Sequence, residues 1–190
     1  MVRSGLDLVV RKLIRIQLGW VQAGREAVSS AARWSSPPAG SIAVNVDAAL
    51  FQVLHRMGVG VVMRDHCGSC LLACSELLDH VVDPELAEAL AVPRAISMAL
   101  TEGYSHIILQ SDCLSLVQRL LSPLVDRSVI GVVIQEIKIL VESFVSVSFS
   151  HVNRSCNLAA HVLARSAERF VSSVFRLCAQ ECIRETLCND

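Results

Sequence analysis

The sequence predicts an α/β domain built on a five-stranded mixed sheet, three antiparallel strands followed by two parallel ones, flanked by helices. Three observations predict it. Ile42, Val44 and Val46 alternate with smaller or polar residues, the two-residue period of a pleated strand. Two further strand-like runs, 58–64 and 70–74, follow on short connections, which is the pattern of an antiparallel meander. The remaining order is helix, strand, helices, strand, helix. A helix crossing from the third strand to the fourth places the fourth beside the first and parallel to it.

Taken in order, residues 1–33 read as an amphipathic helix and a small-residue linker. Leu6, Val10, Leu13, Ile16 and Trp20 recur at helical spacing, and Arg3, Arg11, Lys12 and Arg15 face a single acid, Asp7. Two readings stand for this segment: a remnant of a longer parent protein, or an organelle-targeting helix. The breakers Pro37, Pro38 and Gly40 set a domain boundary, with the domain spanning 34–170. Asp47 ends the first strand. Asp65-His66-Cys67-Gly68-Ser69 is turn chemistry between the second and third strands. Asp83-Pro84-Glu85 opens a helix with a capping side chain, a proline at the first position and an acid in the first turn. Gly103 stops it. Pro93 falls in mid-helix, where it removes a hydrogen bond and crowds a carbonyl at roughly 3 kcal/mol, so a kink near Ala89 is expected.

Residues 106–110 centre on the apolar run Ile107-Ile108-Leu109 and read as a strand of the buried type, with Asp112 just beyond its end. Helical patterns follow at 114–121 and 129–142. Residues 145–150 alternate as a fifth strand, and 157–169 form the last helix of the domain. The tail, 171–190, has weak helical periodicity and is expected to be helical.

Composition narrows the function. Hydrophobic residues make up 53% of the 190-residue chain and charged residues 18%, enough to bury a core. The net charge of −1 argues against strong nonspecific nucleic-acid binding, which is driven by phosphate contacts. No apolar run approaches the ~20 residues of a membrane span. Eight cysteines lack the density of a secreted disulfide scaffold, and Cys67-Gly68-Ser69-Cys70 has no clear second pair for zinc. Free thiols in a reducing intracellular compartment, nucleus or cytoplasm, are the expectation, with a monomeric chain.

The predicted topology brings Asp47 and Asp112 to the ends of neighbouring parallel strands, with Glu88 near the start of the intervening helix. Three carboxylates at one rim are costly without a cation. Hard oxygen ligands suit Mg²⁺ or Mn²⁺, and two such ions can activate water and stabilise a leaving oxygen in phosphodiester cleavage.

Four motifs in order then resemble the ribonuclease H type 1 family, and more closely its plant reverse-transcriptase-like branch, thought to derive from retroelements. They are Asn45-Val46-Asp47-Ala48-Ala49, Pro84-Glu85-Leu86-Ala87-Glu88-Ala89, Ser111-Asp112-Cys113, and His151-Val152-Asn153-Arg154-Ser155-Cys156-Asn157 followed by Ala160-His161-Val162-Leu163-Ala164. The resemblance covers about residues 34–170. It implies a metal-dependent nuclease that cuts the RNA strand of RNA–DNA hybrids with two Mg²⁺ ions, Mn²⁺ being the other candidate. Asp47 would bridge both ions, and Glu88, Asp112 and His161 would complete a four-member catalytic and metal site. Asn45, Ala48, Arg154 and Asn157 would contact nucleic acid.

The departures from the family matter as much. His161 stands where most active cellular members carry Asp, and a packed histidine is its other reading. Ala48 replaces the usual Gly. Asp83 and Glu85 add negative charge where a polyanion would pass. The basic handle after the fourth strand is reduced to Arg127 between Leu120 and Ile130. These departures leave a second class open: a catalytically weakened module that binds nucleic acid or protein.

Overall fold

The computed structural model describes residues 33–79, 81 and 83–169, together with the backbone of 174–177. The expected amphipathic helix of 1–33 lies outside these residues, apart from Arg33. The elements follow the predicted order: β1 (Ile42–Phe51), β2 (Arg56–Arg64), β3 (Cys70–Asp79), α1 (Pro84–Thr101), β4 (His106–Ser111), α2 (Leu114–Leu121), α3 (Val129–Leu140), β5 (Ser146–His151) and α4 (Leu158–Ser166). The central sheet runs β5-β4-β1-β2-β3. β1, β2 and β3 are antiparallel neighbours, whereas β1, β4 and β5 are parallel.

The tail differs from its expectation. Residues Val174–Leu177 form a sixth strand, β6, antiparallel to β3. The physical reason is the edge: without β6, β3 would present a row of unpaired backbone donors and acceptors. Local periodicity carries no information about such a distant partner. The rest of 171–190 lies outside the described residues.

The sheet separates two layers. On one face, Val44, Val46, Val59 and Val61 pack with Ala95 and Ile96 of α1, Leu116 and Val117 of α2, and Ile134 and Ile137 of α3. α1 begins as expected: the Asp83 carboxylate accepts from the Leu86 N–H at 2.7 Å. The helix runs unbroken through Pro93, which is buried.

The other face carries α4, and glycine sets how close it lies. A Cβ at Gly60 would sit 2.0 Å from the Ala160 carbonyl oxygen, and one at Gly58 would sit 2.0 Å from that of Ala164. No larger residue permits this approach, because the obstacle is helix backbone rather than a flexible side chain. Gly60 is the register partner of Asp47. The close seating of α4 therefore brings His161 to the carboxylate.

Candidate active site

Three elements meet at one rim. β1 carries Asp47, and β4 leads into Asp112. Asn45 pairs with Gln110 in the parallel register, so Asp47 and Asp112, each two residues further on, emerge at the same level. Alternation places Asn45 and Asp47 on the α4 face. Glu88 comes from the first turns of α1, on the other layer.

Asp47 is only 2% exposed. Its Oδ2 lies 2.8 Å from His161 Nδ1. Arg154 Nη2 lies 3.1 Å from His161 Nε2. A guanidinium only donates, so Nε2 must accept and Nδ1–H must donate to Asp47. The network thereby assigns the histidine tautomer. Arg154 also reaches Asp112, with Nη1 3.7 Å from Oδ2. Its side chain is otherwise exposed, and a pair of this kind contributes little to stability.

The electrostatics of the rim are adverse. Burial pushes the Asp47 carboxyl up to about 6; the His161 hydrogen bond opposes this and the charge of Asp112 adds to it. Glu88 is pushed up to about 9, first by burial and then by Asp47 and Asp112. The Ala48 backbone N–H, which donates to the Glu88 carboxylate, and Arg154 pull in the opposite direction. Glu88 Oε2 is buried with no hydrogen-bond partner. A buried carboxylate oxygen left unpaired between two further carboxylates is expensive. A hard divalent cation would satisfy it, and three carboxylates are the donor chemistry such an ion takes, although the ligating atoms of Asp47, Glu88 and Asp112 do not all lie within 4.8 Å of one another.

Not all the residues expected to contact nucleic acid are available for that role. Asn45 and Asn157 are fully buried, and their amides are committed internally. Asn45 Nδ2 donates to Asn157 Oδ1 at 3.2 Å. Asn157 Nδ2 donates to the Val46 carbonyl at 3.0 Å and to Asp112 Oδ1 at 2.8 Å. These two residues build the rim from beneath and cannot reach a ligand. Ala48 and Arg154 remain accessible. Ala48 lines an open cleft of about 590 Å³ together with Leu50, Gln52, Glu85, Glu88 and Ser115.

Two contributors were not singled out from the sequence. Arg64 Nη2 donates to Asn45 Oδ1 at 2.9 Å, and its guanidinium lies 3.5 Å from the Trp34 ring centroid. The CxxC is explained by its turn. Asp65 Oδ1 accepts from the N–H groups of Cys67 and Ser69, and Gly68 takes φ +80°. Asp65, His66 and Cys67 gather their ligating atoms within 4.8 Å, but on this turn, at the opposite end of β1 from Asp47.

β1 runs on to Phe51 in its pairing with β2, so Asp47 lies within the strand rather than at its end as expected. A parallel β1–β4 pair with carboxylates just past its last paired residues, flanked by a meander and faced by α4, defines the ribonuclease H-like class of folds. The model of the reverse transcriptase-like family matches residues 45–167, and the chain belongs to that family. No curated protein sequence matches it. Among solved structures, the chain is similar to RNase H1 from the halophilic archaeon Halobacterium salinarum NRC-1. That match has 21% identity over 68% of this chain and 98% of the other, at a TM-score of 0.63. It is also similar to LC11-RNase H1, isolated from compost by a metagenomic approach, with 20% identity over 70% and 99% of the two chains and a TM-score of 0.63. The structure of LC11-RNase H1 in complex with an RNA/DNA hybrid matches with 19% identity over 66% and 94%, at a TM-score of 0.58. Among the described residues, no helix is long and apolar enough to cross a membrane.

Proposed function

We propose that this chain is a metal-dependent endonuclease of the ribonuclease H type that hydrolyses the RNA strand of RNA–DNA hybrids. The observation that carries the reading is the orphaned, buried Glu88 Oε2 beside two further carboxylates. Family membership and a neighbour solved with an RNA/DNA hybrid support the substrate class. Asp47, Glu88 and Asp112 would hold Mg²⁺ or Mn²⁺. Bound there, the ion supplies an activated water and a counter-charge for the leaving oxygen. Asn157 keeps Asp112 Oδ1 occupied and so aims the other carboxylate oxygen outward. His161 orients Asp47 through its Nδ1–H. Direct ligation by His161 would require Arg154 to release Nε2. Arg154, exposed at the rim, is placed to meet a phosphate once it leaves Asp112. Recognition of the hybrid would rest on A-form shape and the 2′-hydroxyl rather than on base sequence.

A second reading has its own observation. Arg154 already lies against both Asp112 and His161, so a cation of the protein itself partly neutralises the rim. A binding module that no longer turns over would look the same. Cleavage of an end-labelled RNA–DNA hybrid, with Mg²⁺ and with Mn²⁺, separates the two. The nuclease reading expects product from the wild type and none from Asp47→Asn. Equal product from both proteins, or none from either, contradicts it.

A further inference from the structure

We infer that Arg64, clamped by Trp34, is a positioning residue that sets the orientation of Asp112 through two buried asparagines. The inference rests on the metal-site reading above and names residues outside that site. The chain of contacts is continuous. The Trp34 ring covers the Arg64 guanidinium, and its Nε1–H donates to Gln110 Oε1 at 3.0 Å. Arg64 is only 2% exposed and donates to Asn45; Asn45 donates to Asn157; Asn157 donates to Asp112.

The direction of this relay follows from chemistry. An asparagine amide can flip, exchanging its oxygen for its NH₂ with almost no change in shape. Two asparagines in contact therefore have two self-consistent orientations: Asn45 donating to Asn157, or the reverse. Arginine has five N–H donors and no acceptor. Placed against Asn45, it requires the oxygen of that amide to face it. The Asn45 NH₂ then faces Asn157, whose oxygen must accept. The Asn157 NH₂ is left pointing at the Val46 carbonyl and at Asp112 Oδ1, both acceptors. Reversing the pair would set the Asn157 oxygen against the Asp112 carboxylate and the Val46 carbonyl, two repulsive contacts in a buried site.

Arg64 thus fixes the chain at one end, as the Val46 carbonyl and Asp112 fix it at the other, with the Cys156 carbonyl 3.5 Å from Asn45 Nδ2 between them. A donor at one end and acceptors at the other admit the same single orientation of both amides, and losing the donor leaves Asn45 free to flip away from it. The cation–π contact with Trp34 is worth more because the guanidinium is desolvated, and it holds the donor in place.

The test uses ¹⁵N-labelled full-length protein and two readouts. Side-chain NH₂ exchange of Asn45 and Asn157 reports the relay without any metal. Mn²⁺ affinity by calorimetry reports its effect on the rim. Arg64→Met, close in volume and without a donor, should speed exchange at Asn157 and weaken Mn²⁺ binding by about 10-fold, the scale of losing an outer-shell partner. Arg64→Lys, again donor-only, should restore both. A folded Arg64→Met with wild-type exchange and wild-type Mn²⁺ affinity overturns the inference. So does an Arg64→Lys that behaves like Arg64→Met. Should Arg64→Met not fold, Asn45→Asp is the near-isosteric substitute, since it still accepts from Arg64 but cannot donate to Asn157. It should reproduce the faster exchange at Asn157, and slow exchange there overturns the relay. A wild type that binds no Mn²⁺ sinks the metal reading, while the exchange readout still decides the relay.

Discussion

The rim around Asp47 and Asp112 and the flank running from α2 into α3 are built in opposite ways. At the rim, Asp47 and Asp112 are held by named buried partners, while Glu88 Oε2 is buried without one. On the flank, Leu124, Val125, Val129, Val132 and Ile139 are each exposed by two thirds or more, where the family resemblance leads one to expect basic residues. Arg127 is the exposed cation between Val125 and Val129, Lys138 donates to the Ser122 carbonyl, and Arg119 is paired with Glu85 and Asp126. The difference teaches that chemistry and grip are separable. A rim residue is locked by several buried partners, so changing it disturbs the core. A flank residue touches mostly solvent, so an apolar replacement costs the fold little while removing phosphate contacts.

The largest effect should come from the rim's own electrostatics. The Glu88 carboxyl titrates at about 9 in the fold against an ordinary 4.5. The folded state therefore holds this proton longer than the unfolded chain does. Its contribution is fully present below about pH 4.5 and is lost as pH rises toward 9. In the absence of divalent ions, Glu88→Gln should gain on the wild type by several kcal/mol between pH 4 and pH 8.5, following the conversion of pKa shift to free energy. Urea unfolding at the two pH values measures the gap; a gap that does not change with pH means that Glu88 is not strained. Saturating Mn²⁺ should narrow the difference, because the ion favours the ionised wild-type carboxylate.

Next comes the seat of α4. Gly60→Ala forces a methyl group onto the Ala160 carbonyl and should destabilise the fold by about 3 kcal/mol, the upper range for overpacking. It should also loosen the His161–Asp47 contact, visible as a shift of the His161 ring resonances. An unchanged midpoint and unchanged resonances would show that α4 has room to move.

Pro93 gives a smaller effect on the helix that carries Glu88. Pro93→Ala restores a donor and removes a clash worth about 3 kcal/mol, against the loss of a buried ring worth about 2 kcal/mol. A net gain of about 1 kcal/mol in thermal or urea unfolding is expected. A loss would mean that the ring's packing outweighs the backbone term.

The smallest effect sharpens the flank. Val125→Lys with Val132→Lys should tighten hybrid binding only a few-fold. It should steepen the dependence of log K on log salt by about 0.7–0.9 for each phosphate engaged. An unchanged salt slope would place the nucleic acid elsewhere.

Much of the fold was legible because its signals are local. Alternation marked the strands, Asp83-Pro84-Glu85 marked the start of α1, and Gly103 marked its end. Asp47, Glu88 and Asp112 were legible because topology alone brings them to one rim. What remained hidden depends on distant partners. β6 is defined by pairing with β3 rather than by its own periodicity. The family resemblance points Asn45 and Asn157 at nucleic acid, whereas both are buried beneath the rim. The parity that puts Asn45 on the same face as Asp47, one pleat deeper, was the available signal that it lies beneath the site. Arg64 at the end of β2 and Trp34 before β1 carry no sequence signal that they meet.

The central claim is an intact rim with a weakened grip. Single-turnover cleavage of an RNA–DNA hybrid, with enzyme in excess and Mn²⁺ present, tests it most directly as enzyme concentration rises and salt falls. The account predicts that the wild-type rate climbs to a plateau reached only at high enzyme or low salt, and that Asp47→Asn stays more than about 100-fold below it, beyond the range of outer-shell losses. A wild-type rate that stays at the Asp47→Asn level when the hybrid is fully bound would contradict it.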